Sequence, residues 1–343
     1  MNTGIGTWKM IVSRITDVIG ATPMIHFACR LNSWNLFLKL EKFNPGGSMK
    51  DRMARSMVDA AECGGHLQNG GTIVESSSGN TAVGLAQIAA ERGYRFIAVV
   101  DHQTAKDKVK TLRALGAEVV ILGGDNQLND VATAEREEKA AEIARETEGA
   151  VLMSQHTNPA NSEGYIDMAH DICEEIDTVD VIVGSIGTGG SMCGTAREIK
   201  KSNSQLVSIG VEPKGSVVFG GKGGSFYQSG TGVPPGLDLG TVIDFNDLSQ
   251  GCQVGDVAAF NTCRYLGNNY GLLVGGSSGG VVYAAIDFVR RQSGSGNLVA
   301  ILGDGGEKYL DTIFDDNWMK SHGLLDMSIG TDIAQVMRSR HDD

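Results

Sequence analysis

The segment Asn44-Pro45-Gly46-Gly47-Ser48-Met49-Lys50-Asp51-Arg52 presents a lysine amine where a turn enters a helical pattern. Asn-Pro-Gly-Gly forms a turn, and Ser48 with Asp51 three positions on reads as a capping box. Lys50 then falls in the first helical turn, beside the positive end of the helix dipole. That field favours the neutral amine, which a Schiff-base lysine needs. The turn alone also fits a solvated lysine next to a helix cap.

Three more turns combine glycine with hydroxyls. Ser76-Ser77-Ser78-Gly79-Asn80-Thr81 offers hydroxyls and backbone N–H groups at a helix start, a suitable cradle for a carboxylate. Asn80 can donate its amide to a phenolic or carbonyl oxygen, although the same residues also describe a well-capped helix. In Gly187-Thr188-Gly189-Gly190-Ser191, glycines allow close approach of a phosphate and Thr188 and Ser191 add donors. A dinucleotide turn fits there too, with Glu212, 22 residues beyond Gly190, as the ribose-binding acid. Gly275-Gly276-Ser277-Ser278-Gly279-Gly280 enters an apolar helix, where a serine can meet a buried ring nitrogen or the glycines can serve helix packing. Together the turns offer an amine, a carboxylate cradle, a phosphate cradle and a neutral partner for a ring nitrogen. That is the set pyridoxal 5'-phosphate requires. A nicotinamide dehydrogenase would use the third turn and Glu212 but leave Lys50 and the serine turn idle. A non-catalytic binding module would have no need of Lys50.

The elements that must position these turns alternate along the chain. Strand-like runs at 36–40, 72–75, 96–100, 118–122, 179–184, 205–211 and 298–302 are separated by amphipathic stretches at 51–63, 81–93, 105–116, 131–147 and 192–201. This rhythm predicts an α/β fold of two lobes, each a mostly parallel twisted sheet covered by helices, with the site in the cleft. It pauses at 155–164 and over the glycine-rich stretch 215–240, long enough for a functional loop. The expected large lobe comprises 1–47 and 158–330, the small substrate-side lobe 48–157, and the C-terminal tail 331–343.

Composition excludes several classes. The 343 residues are 41% hydrophobic and 20% charged, ordinary for a folded globular chain. The net charge of −12 argues against nucleic acid or an anionic membrane surface as partner. Glycine, at 47 residues, is about twice its usual share, with only 6 prolines and no collagen period, which suits many tight turns. The 6 cysteines form no C-x-x-C pair and read as reduced thiols, mostly packed as small apolar residues. Residues 1–10 lack a signal-peptide pattern, and no apolar run reaches the ~18 residues of a membrane span. A cytoplasmic enzyme without a metal is expected.

The ordered motifs N-P-G-G-S-M-K-D-R, S-S-S-G-N-T, G-T-G-G-S and G-G-S-S-G resemble the cysteine synthase family of fold type II pyridoxal-phosphate enzymes, which share a tryptophan synthase β-like fold. The resemblance spans about residues 15–320. Met49, the segment Lys214-Gly215-Ser216-Val217-Val218-Phe219-Gly220, and Tyr309-Leu310-Asp311 through Trp318 are most similar to the N-(2-amino-2-carboxyethyl)-L-glutamate synthase branch, which serves siderophore and 2,3-diaminopropionate biosynthesis.

The resemblance implies that Lys50 is the Schiff-base lysine and that Asn80 meets the cofactor's phenolic oxygen. Gly187, Thr188, Gly189, Gly190 and Ser191 would bind the cofactor phosphate, and Ser277 the pyridine nitrogen. Ser77, Ser78, Gly79 and Thr81 with Gln155 would hold the substrate carboxylate, and Arg136 would face a substrate phosphate. Arg136 lies in a charged run, which also fits a solvated helix face. The implied reaction is β-replacement on O-phospho-L-serine through an α-aminoacrylate, with the amine of L-glutamate as nucleophile, in a homodimer. The alternative is cysteine synthesis from O-acetyl- or O-phospho-L-serine and sulfide. Two positions depart from the branch: His156 replaces an aromatic phenol and Gly187 replaces a hydroxyl residue.

Overall fold

The valine-, isoleucine- and leucine-rich runs assemble into two sheets in the computed structural model, which describes residues 11–123 and 133–337. In chain order the elements begin with β1 (Met24–Ala28), β2 (Ser33–Leu40), α1 (Lys50–Cys63), β3 (Thr72–Glu75), α2 (Asn80–Arg92), β4 (Arg95–Asp101), α3 (Lys106–Ala114) and β5 (Glu118–Leu122). There follow α4 (Thr133–Glu146), β6 (Ala150–Leu152), α5 (Ala160–Glu163), α6 (Ile166–Glu175), β7 (Val181–Ser185), α7 (Gly190–Ser202) and β8 (Val207–Pro213). The chain continues through β9 (Gln250–Val254), α8 (Asp256–Tyr270), α9 (Gly276–Arg290), β10 (Ser295–Leu302), α10 (Asp316–Ser321) and α11 (Ser328–Ala334).

One sheet has the order β1-β2-β10-β7-β8-β9 and the other β5-β4-β3-β6. Every pairing is parallel except β1 with β2, which run antiparallel with Met24 opposite Lys39. All residues of β3 and β7 are buried, as expected of strands covered on both faces by helices. Met53, Met57, Ile73, Leu85 and Ile88 interlock α1, β3 and α2, all without solvent exposure. The expected fold class is therefore the observed one.

β1, β6 and β9 were not among the expected strands. The expected helix start at residue 131, residues 1–10 and the end of the 331–343 tail lie outside the described residues. The six cysteines are all free, but only Cys193 and Cys263 are buried; Cys63 and Cys173 are exposed, so apolar packing does not account for most of them. No described helix is long and apolar enough to cross a membrane.

Parallel order decides where the site lies. The segments that leave β2, β3, β6, β7 and β10 all start from the carboxyl ends of parallel strands, where α/β folds gather ligand groups. These segments carry Lys50, Ser76 to Thr81, Gln155, Gly187 and Asp304.

Candidate active site

A cavity of about 310 Å³ collects these turns, near the small end of ligand pockets, which run to roughly 300–1,000 Å³. Lys50, Ser77, Ser78, Gly79, Asn80, Thr81, Arg136, Gln155, Gly187, Thr188 and Ser277 all line it. Gly189, Gly190 and Ser191 are not lining residues; they form the start of α7 immediately behind that wall in sequence.

Lys50 is the first residue of α1. Its position is set by the preceding turn, where Gly47 N–H donates to Asn44 O (2.8 Å) and Met49 N–H donates to Gly303 O (2.8 Å). The expected capping box does not form. Met49 is the N-cap and makes no side-chain cap bond, and the Asp51 carboxylate accepts instead from Gly46 N–H. Ser48 Oγ accepts from Lys50 N–H at 3.2 Å. One residue past Asp51, Arg52 is fully buried and pairs with Glu41 (2.8 Å) and Asp171 (2.7 Å), anchoring α1 to the chain around it. Burial lowers the Lys50 amine to about 8, with Asp304 acting in the opposite direction. Desolvation is thus the leading cause of the shift that the dipole argument anticipated.

The opposite wall is the α2 turn. Ser77 Oγ accepts from Gly79 N–H at 3.2 Å, and Thr81 Oγ1 donates to Gln155 Oε1 at 2.9 Å. The buried Ser76 hydroxyl has no hydrogen-bond partner among the described residues. Asn80 Nδ2 donates to Asp304 Oδ2 at 2.9 Å, and Asn80 Oδ1 accepts from Lys308 Nζ at 2.6 Å. Tyr309 OH also donates to Asp304 Oδ2, at 2.8 Å. Burial raises the Asp304 carboxyl, while Lys308, Asn80 and Tyr309 favour its ionised form.

At the start of α7, Gly189 has φ +85°, and an added Cβ would lie 2.6 Å from Ile243 Cβ. A Cβ at Gly190 would lie 2.0 Å from Asn161 Oδ1. At Gly187 an added Cβ would meet Thr231 Cα at 3.7 Å, an ordinary contact, so packing does not require glycine there. Asn161 Nδ2 donates to Gln155 O (2.7 Å) and Thr188 Oγ1 (3.2 Å), joining the substrate-side and α7 turns. Ser277 lines the cavity, whereas Ser278 is 1% exposed and its hydroxyl has no partner among the described residues.

Arg136 lines the cavity while paired with Asp101 at 2.9 Å, so it is not simply a solvated face of α4. Glu212, the acid of the dinucleotide reading, is fully buried and accepts from Val218 N–H (2.9 Å) and Gln253 Nε2 (2.8 Å). It is not among the lining residues.

Sequence reasoning missed Lys108, Glu137, Asp304, Lys308 and the segment from Ser229 to Gly232 as lining residues. The last was signalled by its glycine-rich stretch, and it is held by Gly232 N–H donating to Ile186 O at 2.7 Å.

The arrangement fits pyridoxal phosphate. It has a desolvated amine, a glycine turn leading into a helix start, a lining serine hydroxyl (Ser76) without a partner among the described residues and a lining serine at the start of α9. A sequence profile described as "Pyridoxal-phosphate dependent enzyme" matches residues 15–304. The chain is 49% identical over 94% of its length, and 97% of the relative's, to a Sinorhizobium fredii protein named "Putative cysteine synthase". It is 35% identical to the N-(2-amino-2-carboxyethyl)-L-glutamate synthase of Ralstonia nicotianae, over 90% of this chain and 92% of that one. The crystal structure of a hydrogen sulfide-producing enzyme from Fusobacterium nucleatum superposes with TM-score 0.81 at 29% identity, covering 87% of this chain and 98% of that one. The protein therefore belongs to the pyridoxal-phosphate-dependent enzyme family, as a synthase of the cysteine synthase type.

Proposed function

We propose that the protein catalyses β-replacement on O-phospho-L-serine, releasing phosphate and joining the amine of L-glutamate to the β-carbon. The observation that carries this reading is the cavity itself, which sets the desolvated Lys50 amine among the serine turn, Arg136, Lys108 and Lys308. In a chain of net charge −12, such a collection of cations favours anionic substrates over sulfide alone.

The bound cofactor supplies an electron sink for negative charge developing at the substrate α-carbon. In this proposal Lys50 holds the cofactor and moves the α-proton, Asn80 meets the phenolic oxygen, and Ser277 meets the ring nitrogen without protonating it. Gly187, Thr188, Gly189, Gly190 and Ser191 bind the cofactor phosphate. Ser77, Ser78, Gly79, Thr81 and Gln155 hold the substrate carboxylate, and Arg136 receives the leaving phosphate. The proposal also includes lobes divided at 47/48 and 157/158 and a cytoplasmic homodimer; six unpaired cysteines suit a reducing compartment.

A second reading, cysteine synthesis with sulfide, is favoured by the name of the Sinorhizobium fredii relative. Incubation with O-phospho-L-serine and either L-glutamate or sulfide, followed by mass analysis, separates the two. A glutamate adduct supports the proposal. Cysteine alone overturns it in favour of the second reading.

A further inference from the structure

His156 is a cavity residue that the roles above leave unused. Its backbone is pinned, since its carbonyl accepts from Thr241 N–H (2.9 Å) and Val242 N–H (3.3 Å), and an added Cβ at Gly240 would lie 2.2 Å from that oxygen. The ring Nε2 lies 4.0 Å from Glu137 Oε1 of α4, and the buried Nδ1 makes no hydrogen bond among the described residues. The charges that face it are Glu137 and Asp238, which favour the imidazolium, and Lys50, which opposes it. Burial outweighs them and holds the imidazole below its ordinary range, so the ring is neutral near pH 7.

An amino acid arrives with its amine as an ammonium ion, which has no lone pair to attack carbon. Among the described lining residues, Lys50 is assigned to the α-proton, Asp304 is occupied by Asn80 and Tyr309, and Lys308, its amine lowered by burial, donates to Asn80 Oδ1 at 2.6 Å. Carboxylates are weaker bases than imidazole. A neutral imidazole is the group suited to the task.

We propose that His156 Nε2 accepts a proton from the ammonium of the nucleophile, with Glu137 opposite to stabilise the imidazolium; the proposal rests on the amine reading. The substrate C–O bond has by then broken, its electron pair leaving on the phosphate oxygen. The freed nitrogen lone pair forms the new C–N bond at the β-carbon, and the displaced π pair is taken up at the α-carbon with the proton held by Lys50. His156 returns its proton to solvent. A sulfide nucleophile, already anionic as HS⁻, does not need this step.

The test compares wild-type, His156→Gln and Glu137→Gln holoenzymes with O-phospho-L-serine or O-acetyl-L-serine as donor and L-glutamate or sulfide as acceptor, across pH. His156→Gln is expected to slow the L-glutamate reaction by about 10²-fold and to lower the L-glutamate-to-sulfide rate ratio by about tenfold or more, with partial rescue by imidazole. Glu137→Gln removes a charge that favours the imidazolium, so the acid limb of the L-glutamate profile moves to lower pH. An unchanged ratio in His156→Gln together with an unmoved limb in Glu137→Gln overturns this proposal alone. A wild type that uses sulfide and no amine overturns both it and the amine reading.

Discussion

Asn80 and Asp304 meet across the cavity, the Nδ2 of one donating to the Oδ2 of the other at 2.9 Å. The bond ties the start of α2, from the four-stranded sheet, to the turn after β10 of the six-stranded sheet. With Lys308 on its Oδ1, the Asn80 amide has a single sensible orientation, nitrogen toward Asp304 and oxygen toward Lys308. Asp304 also favours the charged form of Lys50. Replacing it by asparagine removes that influence, so the Lys50 amine in Asp304→Asn should titrate below its present value of about 8. The pH dependence of Lys50 acylation in cofactor-free protein measures this; an upward or absent shift contradicts the coupling.

In the proposed reading the serine turn holds substrate, so its variants should show a binding defect. Loss of the Ser77 or Ser78 hydroxyl should weaken amino-acid substrate binding by roughly 1–3 kcal/mol for each charge-assisted bond removed. Asn80→Ala should instead alter the absorbance of the bound cofactor. Spectral titration with O-phospho-L-serine distinguishes the two effects, and unchanged affinity in the serine variants counts against a carboxylate cradle.

Glu75, at the end of β3, is buried, and its carboxyl is raised to about 8 by desolvation, with one oxygen unpartnered among the described residues. A carboxyl raised in the folded state contributes its full stability below its unfolded value of ~4.3, and loses it as pH rises toward the folded value. Glu75→Gln mimics the protonated acid. Its stability relative to wild type should therefore improve between pH 5 and about pH 8.5. Thermal melts at the two pH values test the sign, and a relative loss at the higher pH contradicts it.

Gly189 combines left-handed backbone, φ +85°, with a steric limit at Ile243. Gly189→Ala should cost about 2–4 kcal/mol, joining the left-handed penalty to overpacking. Urea unfolding of the cofactor-free variant would read this directly, and a cost within 0.5 kcal/mol, the range of an ordinary surface substitution, would refute it.

Much of this site could be read from sequence because its turns are local. A glycine–hydroxyl cluster between an apolar run and an amphipathic stretch states its own geometry, as 76–81 and 187–191 do. Apolar runs likewise marked β3, β4 and β5 closely. β9, Gln-Gly-Cys-Gln-Val, was missed because it is a polar, largely exposed edge strand, and β6 because it has only three residues. The capping box failed because Asp51 found the nearer Gly46 N–H. Asp304 and Lys308 act on Asn80 from more than 220 positions away, a relation no local pattern carries. Glu212 had the spacing of a ribose acid, but Val218 and Gln253 occupy its carboxylate.

Lys50 is proposed as the amine on which this chemistry depends. Purified holoenzyme should absorb visible light, and borohydride reduction should bleach that band and leave the cofactor's mass on the peptide containing Lys50. Lys50→Ala should fold with an unchanged circular-dichroism spectrum, carry no reducible adduct and show no turnover. A reducible adduct on another lysine, or substantial turnover by Lys50→Ala, would contradict the account.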